Sequence, residues 1–208
     1  MFAIVESGSI TSFPKGNKGI KIGDYNYPPA VFTLWSESER NAIGIYTVEI
    51  DNTNKKSEEW YINTDITYAF GSGKVTGSYG TATAKKHADT TWTQAQIDDA
   101  SLVGQAPDGA DTNTVRLEGL KTVLIRNVKS EAEAVLSQTD WYITRKAEKS
   151  TAIPSAITTH RDAVRTKQAA METAITNASD TPALETLYTY TEQEDGSVTR
   201  PLGVLPTL

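Results

Sequence analysis

The chain has 208 residues, which is enough for one or two small domains with a real core. Hydrophobic residues make up 38% and charged residues 22%, so neither pervasive disorder nor a fibrous repeat is expected. The net charge of −6 argues against a general duplex-binding surface, because phosphate neutralisation needs clustered cations, and the lack of Cys excludes disulfides, thiolate catalysis and Cys-ligated metals.

The first third reads as β. Phe2 to Val5 and Ile10 to Phe13 flank Glu6-Ser7-Gly8-Ser9, a hairpin signal in which Gly8 supplies positive φ. Lys15 to Lys21 reads as a Gly/Lys loop, and Pro28-Pro29 marks a break before the next element. Ser36 and Glu39 form a capping box that opens a short helix ending at Gly44. Ile45 to Ile50 returns to strand, with Ile45, Thr47 and Glu49 on one face and Tyr46, Val48 and Ile50 on the other. Trp60 to Ile62, Ile66 to Phe70 and Val75 to Tyr79 read as further strands. These elements predict a small antiparallel sheet domain over residues 1–81.

Residues 82–113 read as a connector, with a short helix expected over Thr93 to Val103 and a turn at Pro107-Asp108-Gly109. From Thr114 the apolar period lengthens toward that of a helix. Leu117, Leu120, Leu124, Val128 and Val135 make one stripe, and Ile157, Val164, Met171 and Ile175 make a second. Two such helices joined by residues 137–153 predict an αα-hairpin. A short third helix is expected to start with Thr181 as N-cap and Pro182 behind it. The helical domain is placed at 114–190 and an extended tail at 191–208. The fold class is therefore α+β.

Candidate chemistry is sparse. Gly71-Ser72-Gly73-Lys74 lacks the first glycine of a Walker loop, carries Val75 after the lysine and lies between strand-like flanks, so it reads as a hairpin turn. His87 and His160 have no partner at metal-ligand spacing. Glu58/Glu59 and Asp98/Asp99 are adjacent, and adjacent side chains point apart. A carbohydrate-active enzyme would need two carboxylates converging to roughly 5–9.5 Å from distant positions. No cofactor or metal site is expected. No apolar run approaches the roughly 18 residues of a membrane span, and Glu6 breaks the short apolar run that begins at Phe2, so no signal peptide or membrane partner is expected.

Aromatic residues crowd the first eighty positions. Most should be core, with a surplus available for an interface. Trp35, Trp60 and Tyr61 are the interface candidates of this region. Trp141-Tyr142-Ile143 sits between the two helical stripes and admits two roles, which can hold together: a plug closing the open end of the hairpin and a docking edge for a partner. As a plug, Trp141→Ala should cost ~3 kcal/mol. Leu202 and Leu205 lie in a Pro-flanked apolar tail suited to a neighbouring chain.

The stretch Leu136-Ser-Gln-Thr139-Asp140-Trp141-Tyr142-Ile-Thr-Arg145-Lys146-Ala-Glu148, then Ile153-Pro154, then His160-Arg161-Asp-Ala163-Val164-Arg165, resembles the C-terminal segment of tailed-phage tail fibre assembly and tail assembly chaperone proteins. His160 stands where many members carry Tyr or Trp. The N-terminal residues Met1 to Gly8, Gly23-Asp24, Tyr27-Pro28-Pro29, Val31-Phe32, Leu34-Trp35-Ser36 to Glu39, Gly44-Ile45-Tyr46 and Trp60-Tyr61 are similar to marine-phage tail proteins of this type. The resemblance implies a non-enzymatic tail structural protein at the fibre or baseplate, located in the virion after assembly in the bacterial cytoplasm. Its partners would be fibre, spike or baseplate chains, with a second copy of itself as a further partner, and neither nucleic acid nor membrane. The alternative is a fibre assembly chaperone that does not stay in the particle. Trp141, Tyr142, His160 and Arg161 are the candidate interface residues within the resembling C-terminal pattern.

Overall fold

The computed structural model describes residues 1–99 and 105–208. It is α+β and divides into two compact units, Met1–Thr83 and Ala84–Leu208.

The first unit is built on alternation. β1 (Phe2–Glu6) and β2 (Ser9–Ser12) form the expected hairpin, with Ser7 and Gly8 of its two-residue turn both at positive φ. The Gly/Lys loop is shorter than expected, because β3 (Ile20–Ile22) and β4 (Tyr25–Tyr27) pair across a Gly23-Asp24 turn. Three-residue strands carry too little alternation to stand out in the sequence. A 3-10 turn (Pro29–Phe32) comes next, and then α1 (Glu37–Ala42), whose Ser36–Glu39 capping box is present as expected. β5 (Ile45–Asp51), the short β6 (Tyr61–Ile62), β7 (Ile66–Gly71), β8 (Lys74–Tyr79) and β9 (Thr83–Ala84) complete this region.

The five-stranded sheet has the order β2-β1-β5-β8-β7. It is mixed rather than antiparallel: Val48 of β5 faces Val75 of β8 in a parallel pair. Turn signals report only the local hairpins. The central pair is made over a long crossover containing β6 and β7, which leaves no short-range mark. Gly71-Ser72-Gly73-Lys74 is the hairpin turn expected; Gly71 pairs with Lys74, and Ser72 and Gly73 both take positive φ, as a two-residue primed turn requires.

Alternation along β1 and β5 sends apolar side chains to both faces. Ala3, Val5, Val48 and Val75 form one buried cluster, with Ile10, Tyr46 and Phe70 against it. Ile45 joins Val31 and Phe32 in a second, with Phe2, Tyr27 and Trp35 around it. The rings of Phe2 and Phe32 lie 5.0 Å apart, and those of Tyr46 and Phe70 4.8 Å apart.

In the second unit, residues expected as a connector carry structure. β10 (Thr90–Thr91) pairs with β11 (Val115–Leu117), and α2 (Gln94–Asp98) lies between them behind a Thr93–Gln96 capping box. The expected helix over Thr93 to Val103 is observed to Asp98; its residues 100–103 lie outside those described. Trp92 is buried, its N–H donates to the Thr114 carbonyl, and the Arg116 guanidinium lies 5.1 Å from its ring. Val115 and Leu117 therefore belong to a strand, and the first long helix, α3 (Leu120–Ser137), starts later than its apolar stripe suggested.

Segment 85–89 supplies the partners that the start of α3 lacks. Gly119, the N-cap, has no side chain to cap with. Its N–H donates instead to Asp89 Oδ1 at 2.7 Å, as does the Thr122 hydroxyl. The N–H groups of Leu120 and Lys121 donate to the carbonyls of Lys86 and His87, so orphan donors of the first turn are satisfied by backbone far upstream. A Cβ at position 119 would lie 2.3 Å from the Ala88 carbonyl carbon, so only glycine admits this approach.

Residues 137–153 are not a plain connection, because α4 (Asp140–Lys149) forms within them. α5 (Ser155–Asn177) buries Ile157, Val164, Met171 and Ile175, as its stripe predicts, against Leu124, Val128 and Ala132 of α3. Lys121 Nζ donates to the Thr176 carbonyl and Arg161 to that of Leu136, so the two helices run antiparallel. α6 (Thr181–Tyr188) has Asp180, not Thr181, as its capping residue; the Thr181 hydroxyl donates to the Lys85 carbonyl instead. The expected extended tail also folds. β12 (Thr191–Glu192) and β13 (Val198–Thr199) make a hairpin, and Leu202 returns to bond its N–H to the Leu187 carbonyl.

Candidate interaction surface on the fourth helix

The α5 stripe contains a charge where an apolar residue belongs. Arg161 lies four residues after Ile157 and three before Val164, and it is 8% exposed. A buried guanidinium needs partners for most of its donors, and although Arg161 Nε is buried without one, the terminal nitrogen is well supplied. Here Nη1 donates to the Leu136 carbonyl at 2.7 Å, the Thr139 hydroxyl at 2.6 Å and Asp140 Oδ1 at 2.9 Å. Arg161 thus joins the last turn of α3 to the first residue of α4. Thr139 is 2% exposed and fixed in the same knot. The Asp140 carboxylate also suits the positive end of α4.

Held at its start, α4 buries no residue of its own and ends at Ser150 in the left-handed conformation. Trp141 is 51% exposed, so the plug expected from sequence is not formed. Lying between the two apolar stripes, Trp141 has no periodicity of its own to say whether it faces the core or solvent. Trp141 and Tyr142 pack against each other with centroids 3.8 Å apart. The Arg145 guanidinium lies 4.7 Å from the Trp141 centroid and 5.4 Å from that of Tyr142. Stacking of this kind holds a planar cation flat while its outer donors remain available. Ile143 is also exposed, on a different face of the helix.

The other candidates take different places. Trp60 is buried in the first unit, and Tyr61 is half-buried with Lys56 Nζ 5.9 Å from its ring. Trp35 is half-buried, edge-on to Tyr27 at 6.0 Å, and its carbonyl accepts from Arg40. His160 is half-buried next to Arg161. Leu202 is 2% exposed within its own unit and so is not a surface for a neighbour; Leu205 is half-buried. The structure brings together Thr139, Asp140, Trp141, Tyr142, Arg145 and Arg161, and leaves Trp35, Trp60, Tyr61, Leu202 and Leu205 elsewhere. Sequence reasoning missed the capping role of Asp89, which no local spacing signals.

Among the described residues, no group of three or more His, Asp or Glu side chains is placed to hold a metal ion, and no helix is long and apolar enough to cross a membrane. Comparison with known proteins finds no family model, no curated protein and no solved structure that matches the chain.

Proposed function

We propose that this chain is a structural component of a bacteriophage tail, at the fibre or baseplate, and that it works by attachment to other chains through α4. The observation that carries the reading is the Trp141–Tyr142–Arg145 cluster, with Trp141 exposed and Tyr142 and Arg145 half-buried, on a helix that has no fully buried residue and is fixed at its start by Arg161. Large aromatic rings and arginine dominate binding hot spots, because they bury much area at low entropy cost. A rigidly presented cluster also loses little freedom on docking. The residue pattern that resembles phage tail proteins supports the assignment further: Leu136, Thr139, Asp140 and Arg161, separated in sequence, are bonded to one another in space.

The test is mass spectrometry of purified phage particles carrying this chain. Stoichiometric peptides, with incorporation lost in Trp141→Ala, support the reading. Peptides present during assembly but absent from finished particles transfer the role to an assembly chaperone.

A further inference from the structure

We infer that the partner seated on α4 is a second copy of this chain, presented through its β12–β13 hairpin. The inference rests on α4 being a docking face and adds the identity of its occupant.

The two surfaces match in charge. Asp140 is paired with Arg161, which leaves Arg145, Lys146 and Lys149 against Glu148 on the rest of α4. No carboxylate of the described residues is bonded to Arg145, Lys146 or Lys149, and Arg145 Nε is buried without a partner. Trp141, Arg145 and Lys149 recur at intervals of four and so share one face. This is a basic face on a chain whose net charge is −6.

The β12–β13 hairpin has the opposite character. Its turn region carries Glu192, Glu194 and Asp195, all exposed, with no basic residue between Thr191 and Thr199. The Asp195 carboxylate is taken by the N–H and hydroxyl of Ser197, which tightens the turn and leaves the two glutamates to face outward. Tyr190 is 55% and Val198 59% exposed beside them; the nearby cation, Arg200, lies over the Tyr188 and Tyr190 rings with its Nε bonded to the Gly203 carbonyl, so it does not pair with the glutamates. Each surface therefore presents one exposed aromatic ring, Trp141 on α4 and Tyr190 at the hairpin, beside charges of a single prevailing sign. A carboxylate meeting the stacked Arg145 fork gains charge-assisted hydrogen bonds, while the rings and aliphatic chains supply apolar area. Two copies related by a two-fold axis would make the contact twice.

Sedimentation velocity of the full chain over a range of concentrations tests this, at about 0.05 M and about 0.5 M salt. The expected result is reversible association that weakens at high salt. Arg145→Glu and Glu194→Lys should each weaken it about tenfold or more. Mixing the two single variants should restore it, since like charges then face opposite ones in both contacts; recovery also shows that each variant is folded. A wild-type chain that stays monomeric at both salt concentrations overturns the inference, as do single variants that associate like the wild type. The docking reading of α4 fails separately, if Arg145→Glu enters phage particles as well as the wild type.

Discussion

The two units solve the same problem by different means. In the first, a mixed sheet is covered on both faces by apolar side chains, with Val48 and Val75 on one side and Ile45, Val31 and Phe32 on the other. In the second, apolar stripes on α3 and α5 meet as expected, but the helix ends are joined by polar bonds: Asp89 to Gly119 and Thr122, Arg161 to Leu136, Thr139 and Asp140, and Thr181 to Lys85. Apolar burial is tolerant of where its partners come from. Polar bonds are directional, so they fix an element in place even when that element buries nothing. This is how α4 can be both exposed and ordered.

The comparison breaks first at Ile45, which is fully buried where β5 meets the 3-10 turn. Ile45→Ala removes core methylenes and leaves a cavity, and should lower stability by about 3 kcal/mol in urea unfolding. A cost under about 1 kcal/mol would mean that this second cluster contributes little.

A middle-sized effect belongs to the polar side. The Asp89 carboxyl is held below its ordinary value, first by the Gly119 N–H and then by the Thr122 hydroxyl. A lowered folded-state value means stability that is present above the unfolded aspartate value and is lost as pH falls through the folded one. Asp89→Ala should therefore cost about 1 kcal/mol at neutral pH, as loss of a helix cap does. Its difference from the wild type should shrink as pH drops below the ordinary aspartate value of 3.8. Hydrogen exchange at the Leu120 and Lys121 amides, which bond to Lys86 and His87, should quicken in the variant. Unchanged exchange there would show that the backbone bonds hold without the carboxylate.

What could be read in the sequence divides along the same line. The Ser36–Glu39 capping box, the turns at Gly8 and at Ser72-Gly73, and the α5 stripe from Ile157 to Ile175 all stand as read, because each is set by residues a few positions apart. The parallel β5–β8 pair, the Asp89 cap and the fold-back of Leu202 are contacts between distant segments, and no local spacing encodes them. Of the interface candidates, Trp60 and Leu202 turned out to be core residues. Side-chain chemistry marks a residue as sticky but does not say whether its own chain already covers it.

Trp141 is where that ambiguity was greatest, and it carries the smallest expected change in stability. As a plug it would cost ~3 kcal/mol to truncate. On α4 it is half in solvent and touches Tyr142 and Arg145 of its own helix. Trp141→Ala should then shift the unfolding free energy by only about 0.5 kcal/mol, the worth of an exposed cation–π contact. A loss near ~3 kcal/mol would return Trp141 to the core and take away the face on which the proposed attachment rests. A small loss, combined with failed incorporation into particles, separates the two roles that a buried tryptophan would have confounded: the residue is dispensable for the fold and required for the contact.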